Sequence, residues 1–476
     1  MLKAILTGLI WLSMISWSHA ALVQGVVKGA KSGSTVELAI QHYYLDGKVS
    51  KFTTQLDEQS RFSLEVQVLE PGIAFFKFNR DHLPIFLAND DTLYISTDIF
   101  QFPVQVSFAG SSGAENQLLK EFLKQSQYDF IEFNNIRYKI GLSWIAVEES
   151  VNGLMEALNP EQFQGAMDAR KQSSLNLIKS FQEESSISLN DPFLNWLTTE
   201  ITYNWAFNLL VYGQVFGNRY GIAPEFFNFL ITTPLNIEEI SSEQYRNFVV
   251  ASMARQQFRA SQNNGFWSGQ YKIAENLLSG KALAFFRAEL ISTAFSTEYY
   301  KEILPLYTDF MQNNEYVIFD ARVEDLYQKV ARVSAGTNAP DFDGLDKQGH
   351  PITLTQFRGK VVYLNFWASW CGACLRKMDF FDEFETELNA NGIEIVNISI
   401  DEAQQNWSNA LNQHLYKGHH LLASSDYHQN IAKSFGVEAV PQYFIIGRNG
   451  LFEEKPLSNQ PNDVRQKLLE ISALRN

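Results

Sequence analysis

The 476 residues contain only two cysteines, and both lie in one run, Trp367-Ala-Ser-Trp-Cys-Gly-Ala-Cys374. That spacing is the pattern of a dithiol/disulfide redox site. The apolar run Val361-Val-Tyr-Leu-Asn-Phe366 directly before it reads as a strand, and Leu375 to Leu388 is helix-compatible. Cys371 then falls at a helix N-terminus and Cys374 one turn in, with both sulfurs on nearly the same side of the helix. A thiol attacks only as thiolate, and a free cysteine has a pKa of about 8.5. Unpaired backbone N–H groups and the macrodipole at a helix start favour an anion by roughly 0.3 to 2 kcal/mol, and about 1.4 kcal/mol corresponds to one pKa unit. Cys371 is therefore the expected nucleophile and Cys374 the resolving thiol, whichever way electrons flow. Structural zinc would need about four ligands. His414, His419, His420 and His428 lack the spacing of a second pair, so no metal is expected. A purely structural bridge across so short a loop would constrain the unfolded chain little.

The elements that must position this pair follow from the pattern around it. Ser334-Ala-Gly-Thr-Asn-Ala-Pro340 is small and turn-prone and separates a last domain, 334–476, from what precedes it. Within that domain strands are expected at Val361 to Phe366 and Ile393 to Ile400. Helices are expected at Leu375 to Leu388, Gln404 to His414, Tyr427 to Phe435 and Val464 to Leu474, with a hairpin around Asn449-Gly450. Strands alternating with helices imply a sheet covered on its faces. Residues 22–110 instead break into short alternating segments such as Val23-Gln-Gly-Val-Val27, Phe62-Ser-Leu-Glu-Val66 and Ile73-Ala-Phe-Phe-Lys-Phe78, with turn signals at Asp46-Gly47 and Pro71-Gly72. They predict an antiparallel β-sandwich. Residues 114–333 change to helical spacing, as in Phe193-Leu-Asn-Trp-Leu197, and predict an all-α region whose many Phe and Tyr are core.

Residues 1–20 carry Lys3, an apolar stretch from Ala4 to Trp17 and the small-x-small end Ser18-His19-Ala20, the pattern of a cleaved secretory signal peptide. The stretch is short for a membrane span of about 20 residues, which makes an uncleaved anchor the lesser alternative. Removing these residues takes the formal charge from −15 to −16, since they hold one lysine and no acid. So acidic a chain argues against nucleic acid as a partner. An exported, periplasmic chain that keeps its only cysteines in one C-x-x-C uses them for chemistry, in a compartment where disulfides persist.

The last domain resembles the TlpA/ResA-like branch of the thioredoxin superfamily. The resemblance rests on Gly336-x-x-Ala-Pro-Asp-Phe342, Phe357-Arg-Gly-Lys-Val-Val362, Leu364-Asn-Phe-Trp-Ala-Ser-Trp-Cys371 with Cys374, Asp401 after an apolar strand, and Phe435-Gly-Val-Glu-Ala-Val-Pro441. It implies a thioredoxin-like α/β fold and an exported thiol-disulfide oxidoreductase acting on protein thiols and disulfides, with no cofactor and with a membrane or periplasmic redox partner. It also implies that Pro441 is cis, that the Val440-Pro441 loop packs beside the disulfide, and that these two residues with Trp370 shape the substrate groove. Three positions depart from the family. Lys377 stands where relatives carry a glutamate placed to handle the buried cysteine's proton; an ammonium there would stabilise the Cys374 thiolate and make the site more oxidising. Gly372-Ala373 lacks the proline common in reducing members, and Asp379 replaces a helix-kinking proline, implying a straighter helix. Asn365, where cytosolic thioredoxins carry a buried aspartate, agrees with the branch but cannot accept a proton. Glu438 is then a candidate substitute. The β domain resembles domains of unknown function found ahead of such modules.

Two other functions are consistent with the sequence. A peroxiredoxin-like peroxidase shares the Ala-Pro-Asp-Phe entry, although Ala368 stands where that family has threonine. A binding protein would use the thioredoxin fold as a scaffold or redox gate.

Overall fold

A computed structural model describes residues 20–41, 49–126, 135–140, 143–185, 187–260, 266–295, 300–423, 429–437, 439–454 and 460–474. The expected signal peptide up to residue 19, the Asp46-Gly47 turn, Tyr427, His428 and Glu438 lie outside them. The chain divides into two compact units, Met1–Glu289 with Asn314–Asp320, and Leu290–Asn313 with Ala321–Asn476.

The first unit begins with eight strands: β1 (Ala21–Lys28), β2 (Thr35–Gln41), β3 (Val49–Gln55), β4 (Arg61–Val66), β5 (Gly72–Phe78), β6 (Asp81–Leu87), β7 (Thr92–Asp98) and β8 (Val106–Gly110). They form two four-stranded sheets, ordered β4-β1-β7-β8 and β3-β2-β5-β6. Burial alternates along β1 and β4, as one covered face requires. Val23, Leu64 and Leu93 from the first sheet share one core with Val36, Phe76 and Ile85 from the second. Every pairing is antiparallel except β1 with β7, which run parallel. Gly25 sits in that parallel ladder because a Cβ there would lie 1.9 Å from the Ile95 carbonyl oxygen. The alternation that marks a half-buried strand is blind to this parallel pairing.

Helices follow: α1 (Gly113–Ser126), α2 (Glu149–Ala157), α3 (Pro160–Ser185), α4 (Asp191–Val215), α5 (Glu243–Ala260), α6 (Phe266–Leu277) and α7 (Gly280–Phe295). The expected helical region also contains a hairpin, β9 (Asn135–Ile140) with β10 (Ser143–Glu148). Helix α4 starts where it does because the Asn190 side chain accepts the Phe193 N–H at 2.8 Å and Pro192 stands in the first turn. It is apolar nearly all round, and the structure buries it accordingly.

The second unit holds α8 (Tyr300–Asn313), α9 (Asp320–Arg332, from Ala321), β11 (Asp343–Leu345), β12 (Pro351–Thr353), β13 (Val361–Trp367), α10 (Gly372–Ala390), β14 (Ile393–Ser399), α11 (Gln404–His414), β15 (His419–Leu422), α12 (Gln429–Ser434), β16 (Gln442–Ile446) and α13 (Pro461–Ala473). Its main sheet runs β15-β14-β13-β16, with β13 parallel to β14 and antiparallel to β16. Every residue of β13 is buried, because both faces are covered. Val362, Leu364 and Phe366 pack with Ile431 and Phe435 on one face, and Val361 and Tyr363 pack with Phe381, Leu388 and Leu468 on the other. The second strand of the expected hairpin is reduced to the bridges Ile446 to Phe452 and Asn338 to Leu451.

Candidate active site

The central strand β13 delivers the cysteines. It ends at Trp367, a turn closes where the Cys371 N–H meets the Ala368 carbonyl at 3.0 Å, and α10 begins at Gly372. Cys371 and Cys374 are joined as a disulfide with their Cα atoms 5.2 Å apart. Cys371 is the N-cap of α10, and its sulfur accepts the Cys374 N–H at 3.2 Å. That first-turn N–H, which also donates to the Cys371 carbonyl at 2.9 Å, points at the sulfur at the positive end of the helix, the arrangement that stabilises a thiolate. Cys371 is 7 % exposed and Cys374 is completely buried, so only Cys371 offers an incoming group any access.

The two sulfurs sit in an apolar cluster with Trp367, Ala368, Met378, Trp407, Ala410 and Leu411, against which Leu375 and Val440 also pack. Val440 thus packs against the cluster that holds the cysteines, and the Val440-Pro441 bond is cis. Pro441 is exposed, and Trp370, just before the nucleophile, is 70 % exposed.

Two of the departures from the family pattern, Lys377 and Asp379, find partners outside α10. The Lys377 ammonium lies 4.2 Å from the ring centroid of Tyr443, the second residue of β16. It therefore joins α10 to the strand that follows the cis proline. Asp379 accepts the Tyr416 hydroxyl at 2.9 Å, within a helix that runs unbroken from Gly372 to Ala390. Burial and the neighbouring Asp379 both push the Tyr416 hydroxyl pKa up. Asn365 is buried and donates from Nδ2 to Asn397 Oδ1 at 2.9 Å, across the β13–β14 pair in which the two residues are partners. Its Oδ1 has no hydrogen-bond partner among the described residues.

Sequence reasoning did not anticipate Asn397, Tyr416, Tyr443 or Trp407 around the site. Asn397 was within reach of it: aligning the two expected strands in parallel from their starts, Val361 and Ile393, places Asn365 opposite Asn397, as observed. Tyr416 and Tyr443 come from segments far along the chain, which no local pattern connects to α10.

A strand-to-helix dithiol on the central strand of such a sheet, with a cis-proline loop packed against it, defines a thioredoxin-fold redox protein. The family model described as Redoxin matches residues 334–466. The thiol-disulfide oxidoreductase ResA of Bacillus thuringiensis is 30 % identical over 132 residues, which are 28 % of this chain and 75 % of that protein. ResA of Bacillus subtilis is 27 % identical over 118 residues, 25 % of this chain and 64 % of that protein. Among solved structures, the thioredoxin domain of a thiol-disulfide oxidoreductase from Bacteroides vulgatus is 21 % identical, with 29 % of this chain and 96 % of that one covered and a TM-score of 0.27. A thiol:disulfide interchange protein from Chlorobium tepidum is 19 % identical, with 29 % and 97 % covered and a TM-score of 0.26. The chain belongs to the ResA-like thiol-disulfide oxidoreductases, its redox module preceded by a β-rich region and a helical region.

Proposed function

We propose that this oxidoreductase is exported to the periplasm and exchanges its Cys371-Cys374 disulfide with protein substrates through a mixed disulfide on Cys371. The observation that carries the reading is the asymmetry of the pair: Cys371 caps α10 and keeps a small exposed edge, while Cys374 is completely buried. In the reducing direction the Cys371 thiolate attacks a substrate disulfide, and one substrate sulfur leaves as a thiolate that takes up a proton. Cys374 then loses its proton and attacks the Cys371 sulfur, releasing the second substrate thiolate. The protein ends as disulfide and the substrate as dithiol, two electrons having passed. The reverse sequence oxidises a substrate dithiol. Trp370, Val440 and Pro441 form the groove in which the substrate chain lies, and a membrane or periplasmic redox partner restores the starting state. Export rests on the leader-like pattern of residues 1–20. The three regions 22–110, 114–333 and 334–476 are read as separate domains.

The test is to express Cys374→Ser in the native compartment and identify what stays bound to Cys371. Disulfide-linked proteins, recovered from a periplasmic fraction in which the chain has lost its first 20 residues, support the proposal. An empty trap under both oxidising and reducing growth overturns it and favours the scaffold or redox-gate reading.

A further inference from the structure

Strand β14 ends level with β13, Ser399 standing opposite Trp367 in the parallel ladder. Its continuation, Asp401, is therefore carried to the turn between β13 and α10. The Asp401 side chain is 1 % exposed and gathers three donors there. Oδ2 accepts the Ser369 N–H at 2.9 Å and the Ser399 hydroxyl at 2.6 Å, while Oδ1 accepts the Ser369 hydroxyl at 2.6 Å. The Ser399 oxygen in turn accepts the Asp401 N–H at 3.0 Å, closing the clamp. All three donors are neutral, and no ion pair with Asp401 occurs among the described residues.

A buried carboxylate held only by neutral donors is costly, and retaining one needs a reason beyond packing. Ser369 lies two residues before Cys371, so their Cα atoms are at most about 7 Å apart. We infer that Asp401 is a positioning residue for the nucleophile: it fixes the turn that presents Trp370 and Cys371, and its negative charge opposes the Cys371 thiolate, holding the site toward the disulfide. The inference rests on the proposed role of Cys371 as the exchanging sulfur. The two parts of the clamp separate by sign. Removing the charge while keeping the shape favours the dithiol. Removing a hydroxyl that shares the charge leaves the carboxylate less compensated and favours the disulfide.

The experiment equilibrates the full-length protein with reduced and oxidised glutathione at fixed pH. Two glutathione thiols reduce the Cys371-Cys374 disulfide to the dithiol and yield one glutathione disulfide. Asp401→Asn is expected to shift this equilibrium toward the dithiol by about threefold to tenfold, the order expected for loss of a neighbouring unit charge. Ser369→Ala and Ser399→Ala are expected to shift it the other way by about twofold. Shifts of the same sign in all three variants, as simple loosening of the turn would give, overturn the inference, and so does an unchanged Asp401→Asn. Should Asp401→Asn not fold, the two serine variants decide: an equilibrium unmoved in both overturns it. A wild-type protein that exchanges with glutathione but lacks the opposed signs removes this inference alone, whereas one that does not exchange at all removes the assigned role of Cys371 as well.

Discussion

Replacing Lys377 tests whether the ammonium that stands in place of the family's acid sets the redox poise. Lys377 is three residues beyond Cys374 on the same helix, where Cβ atoms are about 5–6 Å apart, and a separation of roughly 8 Å between ammonium and sulfur is taken as the working value. At an effective dielectric constant near 20 such a pair is worth about 2 kcal/mol. Lys377 is only half-buried, so screening reduces this to about 1 kcal/mol or less. For a two-electron couple that corresponds to about 20 mV. Lys377→Met keeps the aliphatic stem and removes the charge, so its potential is expected to be about 20 mV more negative than wild type. Lys377→Glu, which inverts the charge, should move it about twice as far. Both also lose the cation–π contact with Tyr443, worth about 0.5–2 kcal/mol, and should unfold at lower temperature in the oxidised state. Tyr443→Leu separates the two effects, because it removes the ring and leaves the charge: thermal stability falls while the potential stays near wild type. The assay is equilibration with glutathione buffers, scored by alkylation of free thiols, alongside thermal unfolding. Lower melting temperatures with unchanged potentials in both Lys377 variants would refute the electrostatic reasoning and leave Lys377 as a strut between α10 and β16.

Two further outcomes follow from groups behind the site. Tyr416→Phe removes the hydroxyl that Asp379 accepts at 2.9 Å and should cost about 1 kcal/mol in denaturant unfolding, with little change in the glutathione equilibrium. His420 is buried, its Nε2 lies 2.8 Å from the Lys417 carbonyl, and among the described residues its Nδ1 has no hydrogen-bond partner. The carbonyl can only accept, so Nε2 carries the proton and acid must charge the buried Nδ1. Burial accordingly pushes the His420 pKa below 6.5, against the backbone carbonyls that would raise it. The unfolded chain then binds the proton more readily, so this contribution to stability is complete above about pH 6.5 and is lost as the pH falls toward the depressed folded value. Melting temperatures at pH 7.5 and pH 5 should lie closer together in His420→Gln than in wild type; an equal gap would show that His420 is not the responsive group.

Much of this site was legible in the sequence because its parts are local. The strand, the C-x-x-C and the helix are consecutive, so the apolar run and the cysteine spacing suffice to place Cys371 at a helix start. The cis bond before Pro441 came from family resemblance, since nothing in the local pattern requires it. What stayed hidden was long-range: Lys377 reaching Tyr443, Asp379 reaching Tyr416, and the parallel pairing of β1 with β7 inside a region that reads as alternating strands. Each depends on which elements become neighbours, and hydrophobic periodicity records only which face of an element is buried. Asp401 lies between these cases. Its motif position is visible, but its grip on Ser369 exists only once β13 and β14 pair in register.

The central claim is that Cys371, and not Cys374, is the sulfur that exchanges with substrates. The most direct measurement is the intact mass of full-length Cys374→Ser and Cys371→Ser after incubation with glutathione disulfide. Cys374→Ser should gain one glutathione on Cys371, while Cys371→Ser, whose remaining thiol is completely buried, should stay unmodified as long as it is folded. Rapid addition to the folded Cys371→Ser protein, with Cys374→Ser unreactive, would contradict the assignment.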